Sequence, residues 1–597
     1  MSEAAGLAAS LYDMHGEARP LPSDRDQNFL LRTPDGAFVL KVARSGEDEG
    51  LLACQNEVLA RLAGPLSPLR VPWVKPSRSG RGIERTEGPG GVHLVRLLGH
   101  IPGRPLAEAN PRSWPLLEQA GDLLGRLDAA LAGYAHPAAR RTLDWDLRRG
   151  RVVVETHLAE VADEARRGLV ERHLAGIDEC LAPLLPDLRE GVIHGDGNDW
   201  NILVSEPADP LTPAVVTGLL DFGDIVESWI VGEPAIAVAY AMLDRADPLA
   251  AAAAVVRGYH GANALTESEV AALFPLATLR LCVSVVMSAR QRRQRPDNAY
   301  LSVSERAAWA LLERLEGINP DHAHYRLRDA CGWPACPAAE PVVRWLKAHG
   351  DEIGPVLEPD PASVRRVTLD LTVGSLEWAA LRGRDDSTAW TRAVFDRMRD
   401  EDAVLGIGRY DEARRWYTSD AFRTETDEGP EWRTVHLGID LFMPEGTPVL
   451  APLDGTVASV RDNAGRLDYG PTVLLRHEAG DAAFYTLYGH LAPDALELDV
   501  GRTVRRGQRI AAIGAPPGNG DWAPHLHLQI VTDMLGYDGT FPGVARPSER
   551  AVWCSVSPDP NLLLGLPELE RAAAGGGVRE DRGDTGRRTA MGPALAD

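Results

Sequence analysis

No uninterrupted apolar run in this chain of 597 residues reaches membrane-spanning length, so no segment is expected to cross a bilayer and no membrane partner is expected. The opening stretch, MSEAAGLAASLYDMHGEARP, carries Glu3 and no basic region ahead of an apolar core, so a secretory signal is not expected either. Cysteine is scarce, with six residues at 54, 180, 282, 331, 336 and 554 and no CxxC pair. Scattered thiols of this kind predict reduced cysteines in a cytoplasmic protein. Cys331 and Cys336 are near enough in sequence to approach each other, but buried small hydrophobes are the expectation. Positive charge is in deficit, with 63 basic against 86 acidic side chains and a formal net charge of -23. That balance argues against nucleic acid as a partner and suits cationic substrates.

What is present is foldable sequence, 44% of it hydrophobic, in a chain long enough for roughly two to four domains. The stretch HGDGNDWNILV, followed about two dozen residues later by LLDFGD, carries the acidic machinery of phosphoryl transfer in order. Asn201 lies five positions after Asp196, and Asp221 lies twenty further on, between Gly218-Leu219-Leu220 and Phe222-Gly223. A kinase needs one carboxylate to take the proton of the attacking hydroxyl, and an amide oxygen and second carboxylate to hold magnesium against the triphosphate. Asp196 is expected to be the base, and Asn201 and Asp221 the Mg2+ ligands. Upstream, NFLL, a turn at Pro34-Asp35-Gly36 and AFVLKVA read as a hairpin with Lys41 in its second strand. Sixteen residues later Glu57 sits in LLACQNEVLARL, whose apolar positions recur at helical spacing. Lys41 and Glu57 are therefore expected to form the ion pair that positions ATP.

These residues resemble the aminoglycoside phosphotransferase-like family, which includes choline, homoserine and hydroxylysine kinases. His194-Gly195-Asp196 replaces the His-Arg-Asp of protein kinases, and no Ala-Pro-Glu segment follows. The resemblance runs from near Leu21 to near Leu327; SDRDQNF and DFGDIVESWIVGEPAIAVAYAML look most like the homoserine and hydroxylysine kinase branch. It implies a bilobal α+β kinase fold, phosphates covered by the turn at Asp26 to Asn28, a hinge following VHLVRLLGHIPGRPL, and a small amine-bearing acceptor. No Gly-rich loop occurs at that turn. Asp224, Glu227 and Glu233 are carboxylates expected beside the transferred phosphate, where they could hold an ammonium group.

A second chemistry lies between His436 and Ile530, where short runs alternate apolar and polar residues, a β-rich pattern. His525 and His527 are two apart and leave one face of a strand. His436 and Asp440 would be roughly 13 Å apart on a straight strand, so a bend at Gly438 is required. With His490 after Tyr488-Gly489, this pattern resembles the lysostaphin or LytM type of zinc metallopeptidase across residues 430 to 532. The resemblance implies Zn2+ on His436, Asp440 and His527, with His490 and His525 polarising water or stabilising the oxyanion. PVLAPLDGTVASV and GRTVRRGQRIAAIG also read like a biotinyl or lipoyl carrier barrel, but residues 436 to 530 hold no lysine for a carrier to modify.

Between the two units, AEPVVRWLKAHGDEI and DSTAWTRAVFDRMRDEDAVL have helical periodicity and SVRRVTLDLTVG is strand-like. GRYDEARRWYT carries no convincing chemical motif; it reads as a partly buried structural face or a docking surface. The order resembles a multidomain family that usually adds a class III aminotransferase-like domain using pyridoxal phosphate, approached here by SPDPNLLLGLP. Thirty residues after Pro567 are too few for one, so a separate pyridoxal phosphate enzyme is the expected partner.

The expected organisation is an arm (1–20), a kinase domain (21–327), a mixed connector (328–430), an all-β, barrel-like LytM domain (431–566) and a disordered tail (567–597). The expected function is ATP-dependent phosphorylation of a small amine-bearing alcohol or hydroxyamino acid, fused to a zinc-dependent peptidase or amidohydrolase. The alternative is a nucleotide-binding regulator with a non-catalytic LytM interaction module.

Overall fold

The computed structural model describes residues 2–21, 26–63, 69–88, 90–206, 209, 211–294, 305–378 and 387–570. Ser23 to Arg25 of the SDRDQNF stretch and the tail from 571 onward lie outside them.

The small lobe of the first half is an antiparallel sheet ordered Glu17–Leu21, Gln27–Thr33, Gly36–Val42, Gly91–Gly99 and Val74–Lys75, with Glu84–Gly88 also paired to Gly91–Gly99. The hairpin turn falls at Pro34-Asp35 as the turn formers require, pairing Thr33 with Gly36. Residues 1–20 are not a separate arm. The helix Ser2–Tyr12 buries Ala4, Ala8 and Tyr12 against Leu31, Leu40 and Leu97 of the sheet, and Glu17–Leu21 is its edge strand. The helix Glu49–Leu62, capped by Asp48, buries Leu51, Leu52, Cys54, Gln55, Val58 and Leu59.

The large lobe is helical, built around Trp114–Leu131, Pro248–Ala262 and Glu267–Gln294. Close approach of the first two is possible because Gly121 and Gly258 lack Cβ atoms: one at Gly258 would lie 1.9 Å from the Glu118 carbonyl oxygen. Glu267–Gln294 has the length and hydropathy of a membrane span, although Arg280 interrupts its apolar run. It is the core helix of this lobe, with 89% of its apolar window buried. Two short antiparallel ladders, Glu190–Ile193 with Val226–Trp229 and Ile202–Val204 with Val216–Leu219, clamp the segment from His194 to Asn201 at both ends.

The second half is built on an eight-stranded sheet in the order Arg366–Leu369, Leu405–Gly408, Ile439–Phe442, His525–Val531, Ala482–Gly489, Gly470–Ala479, Gly455–Asn463 and Thr503–Val504. Its first two strands come from the segment expected as a connector, and so do Val342, Leu346, Val356 and Leu357 of its core. The boundary expected at 430/431 therefore cuts through a sheet. Residues 567–570 are also folded, with Glu568 paired to Arg366. All six cysteines are free.

The two halves meet through the helix Pro320–Ala330. Asn319 donates to the Leu535 carbonyl (2.9 Å) and the Tyr325 hydroxyl donates to Asp533 (2.5 Å). Beside them Arg546 bridges Asp247 (2.8 Å) and Glu549 (2.7 Å), and Arg326 also reaches Glu549, all four side chains being nearly buried.

Candidate functional site

Asp196 sits at the floor of a cleft of about 480 Å³ between the lobes, which Lys41, Asp221, Asp224 and Arg280 also line. Three donors hold its carboxylate: Arg280 Nη2 (2.8 Å) and Asn198 Nδ2 (2.8 Å) on Oδ1, and Asn201 Nδ2 (2.8 Å) on Oδ2. The side chain keeps 23% of its surface open to the cleft. Burial nevertheless pushes the carboxyl up to about 6; Arg280 opposes the rise and Asp224 adds to it. A carboxylate with a pKa near 6 is a stronger proton acceptor than an ordinary one and is still ionised at neutral pH.

Asp221 follows the strand Val216–Leu219 with left-handed backbone (φ 53°), accepts from Gly223 N (3.2 Å) and lies 4.0 Å from Lys41 Nζ. His194 contacts the Leu220 carbonyl (2.9 Å) through Nε2 and packs edge-on against Phe222, tying the loop from His194 to Asn201 to the Asp221 turn. Thus Lys41, Asp196 and Asp221 line one cleft, and Asn201 is bonded to the Asp196 carboxylate beside it.

Glu57 does not join them. It lies on the exposed face of its helix and accepts from the Tyr134 hydroxyl (3.0 Å). The helical phase turns Leu51, Leu52 and Gln55 to the cleft instead, and Gln55 takes Arg96 Nη2 (2.7 Å) from the strand position paired with Lys41. Of the three carboxylates expected around an ammonium group, Asp224 lines the cleft, Glu227 is paired with Arg140 (3.0 Å), and Glu233 is wholly buried beneath the catalytic loop. Glu233 instead accepts from Gly195 N (2.9 Å). Arg280 was missed by motif reasoning. Its signal was a lone charge within the apolar run PLATLRLCVSVVM. Its guanidinium is 2% exposed and lies against the rings of Trp145 and Tyr240.

The second site is assembled by strand register. Asp440 is paired directly with His527, and Gly489, preceding His490, is paired with His527 from the other side. His436 comes from a different ladder, opposite Val544, and the chain changes sheets at Gly438, the bend the sequence demanded. A Cβ there would lie 2.5 Å from His527 Cε1, so only glycine fits.

Ligand-capable atoms of His436, Asp440 and His527 all lie within 4.8 Å of one another. Their tautomers are set by outer partners. His436 Nδ1 contacts the Arg409 carbonyl (3.2 Å), a pure acceptor, so it carries the proton and leaves a lone pair on Nε2. His527 Nε2 faces Gln529 Oε1 (3.0 Å), whose amide nitrogen is committed to Pro542 O and Ser557, so the lone pair of His527 is on Nδ1. Those lone pairs face each other at 3.1 Å and face Asp440 Oδ1 at 3.3 and 3.1 Å. Three converging acceptors with no proton among them repel unless a cation lies between them, so the set fits a divalent metal ion. Burial, with Arg414 second, lowers His436 to about 3. Burial alone would raise Asp440, but the charged groups around it, the Arg414 guanidinium on Oδ2 among them, hold it well below the usual carboxylate range.

His490 and His525 flank this set with their Nδ1 atoms on the carbonyls of Asn519 (2.8 Å) and Ala523 (2.6 Å), leaving both Nε2 atoms available as proton acceptors. His490 is held in left-handed backbone (φ 62°), a strained conformation for a non-glycine residue. A groove of about 350 Å³ leads to the site past Tyr417, Tyr469, Trp522 and Phe541.

Comparison with known proteins agrees with this division. Residues 17–273 match the phosphotransferase enzyme family, and residues 434–538 match peptidase family M23. The hydroxylysine kinase of Mus musculus is 30% identical over 334 residues, covering 53% of this chain and 88% of that protein. An uncharacterized metalloprotease of Haemophilus influenzae is 36% identical over 126 residues, 21% of this chain and 25% of that protein. Among solved structures, a microcompartment-associated aminopropanol kinase superposes with a TM-score of 0.43 at 20% identity, over 53% of this chain and 98% of that one.

Proposed function

We propose that this chain, which belongs to the phosphotransferase enzyme family and carries a peptidase family M23 domain after it, transfers the γ-phosphoryl group of ATP to the hydroxyl of a small amine-bearing molecule. The observation that carries this reading is the Asp196 carboxylate, held by Arg280, Asn198 and Asn201 at the floor of a cleft shared with Lys41, Asp221 and Asp224. The acceptor hydroxyl gives its proton to Asp196 as its oxygen bonds the γ-phosphorus, and the bond to the bridging oxygen breaks to release ADP. Lys41 neutralises phosphate charge. Asp221 and Asn201 would hold magnesium, which would supply charge neutralisation at the phosphoryl group. Asp224 is positioned to hold the acceptor's ammonium group. The match to hydroxylysine kinase supports an acceptor of this class.

The M23 half acts as a zinc-dependent peptidase or amidohydrolase. His436, Asp440 and His527 would hold zinc, which would supply Lewis-acid chemistry there. His490 and His525, whose Nδ1 atoms are held by backbone carbonyls, would accept a proton and stabilise the oxyanion through Nε2. We assign both reactions to the cytoplasm, where ATP and free thiols coexist. The phosphorylated amine is a substrate type for a separate pyridoxal phosphate lyase.

The test is ADP release by the full chain with amino alcohols, hydroxyamino acids and aminoglycosides as acceptors. Turnover with at least one amine-bearing acceptor, reduced 10²-fold to 10⁴-fold in Asp196→Ala with nucleotide affinity retained, is the expected result. Nucleotide binding without acceptor-dependent turnover would favour a regulatory role, and absence of bound zinc would favour a non-catalytic M23 module.

A further inference from the structure

The segment GRYDEARRW, Gly408 to Trp416, lies outside the residues matched to peptidase family M23, yet two of the metal-site side chains depend on it. Arg414 is 2% exposed and places Nη1 at 2.5 Å from Asp440 Oδ2. The other carboxylate oxygen, Oδ1, is the one facing His436, His527 and His525 at 3.3, 3.1 and 3.6 Å. Arg414 is itself pinned from two further directions. Its Nε donates to Glu412 Oε2 (3.1 Å), and its Nη2 donates to the Arg409 carbonyl (3.2 Å), which also receives His436 Nδ1. Glu412 in turn takes Arg409 (3.1 Å) and the Leu371 amide (3.3 Å). Gly408, paired with Asp440 across the sheet, makes the room: a Cβ there would lie 2.7 Å from Arg414 Nη2.

We infer that Arg414 is a positioning residue that commits one oxygen of Asp440 to itself and so restricts this ligand to one-oxygen coordination through Oδ1. The inference rests on His436, Asp440 and His527 being the metal ligands. Its physical content is the orientation and charge of the carboxylate. A carboxylate free at both oxygens can turn to chelate a metal with both and fill the position that a water or a substrate carbonyl must take; a charge-assisted bond from a guanidinium to Oδ2 draws that oxygen's charge away and fixes the plane of the group, which disfavours chelation. Glu412, shared between Arg414 and Arg409, offsets part of the guanidinium charge beside the site. The Arg409 carbonyl couples this constraint to the tautomer of His436, because the same oxygen serves both groups.

The experiment uses the full chain, the Arg414→Gln and Arg414→Lys variants, zinc affinity by chelator competition, and the visible absorption spectrum of the cobalt(II)-substituted protein. The expected result is that Arg414→Gln binds zinc 10-fold to 100-fold more weakly. Its cobalt spectrum should shift from the intense four-coordinate form toward the weaker five-coordinate form. Arg414→Lys, which keeps a cation on Oδ2, should recover most of the affinity and the four-coordinate spectrum. Zinc affinity and spectrum unchanged in Arg414→Gln would overturn the inference. Equal metal loss in both variants with a matching fall in melting temperature would do so too, since it would mark a purely structural role. A parent chain that binds neither metal overturns the ligand set itself, and this inference with it.

Discussion

The backbone amide of Gly195 donates a 2.9 Å hydrogen bond to the carboxylate of Glu233, thirty-eight residues further along and without exposed surface. The catalytic loop is therefore anchored from below by the helix Gly232–Ala241, while Arg280 holds its carboxylate from the side. A Cβ at Gly197 would meet Glu233 Oε1 at 2.4 Å, so loop and carboxylate are packed as tightly as backbone allows.

Glu233→Ala removes that anchor and leaves the Gly195 amide unsatisfied in a dry interior. A buried donor left without its partner costs about 1–3 kcal/mol. We expect denaturant unfolding to show a loss of that order, and ADP release to fall through kcat with little change in the KM for ATP. Full activity in a destabilised Glu233→Ala protein would show that the loop holds its shape without the carboxylate.

The Asp196 carboxyl, pushed up to about 6 by burial, must be ionised to accept a proton. Activity on the free enzyme, read as kcat/KM for the acceptor, should therefore fall about tenfold per pH unit below about 6 and level off above it. Arg280 favours the ionised form, so Arg280→Met should raise this pKa and move the acid limb to higher pH. An acid limb that stays in place would remove Arg280 from the electrostatics of the base.

At the junction of the halves, burial alone would raise Glu549, but His322, Arg326 and Arg546 hold its carboxyl far below its ordinary value of 4.5. A depressed carboxyl contributes stability that is fully present above 4.5 and is lost as pH falls below it. Arg546→Ala leaves Asp247 and Glu549 buried without their shared partner, a change that typically costs about 3–5 kcal/mol. Calorimetry should show one transition in the parent chain and two in the variant, with the parent's first separation of transitions appearing below pH 4.5. A single unshifted transition in Arg546→Ala would mean that this network does not couple the halves.

In the metal site, Gly438→Ala places a methyl group where His527 Cε1 lies, at 2.5 Å, so the imidazole must leave the ligand set. Metal analysis should show loss of zinc with the rest of the sheet intact by circular dichroism. His490→Ala should instead keep the metal and lose hydrolysis, because its Nδ1 is bound to the Asn519 carbonyl and it lies beside the three-ligand group. Equal zinc loss in His490→Ala would make that residue a ligand.

Much of both sites was legible in the sequence because their chemistry is local. Asp196 and Asn201 sit on one loop between two short strands, and His525 and His527 share one face of one strand, so spacing alone determines their geometry. The bend between His436 and Asp440 followed from strand rise and a glycine. Glu57 failed because distance along the chain does not set helical phase: the packing of Leu51, Leu52 and Gln55 toward the cleft turned Glu57 to solvent. Arg280, Glu233 and Arg414 depended on tertiary structure for another reason. Each acts on a residue 26 to 84 positions away, from a helix or, for Arg414, from a segment packed beside the sheet, whose placement is decided by burial elsewhere. The sequence determined which groups could do the chemistry. The packing of the core helix Glu267–Gln294, and a sheet that recruits strands from the expected connector, decided which cations hold the carboxylates in place.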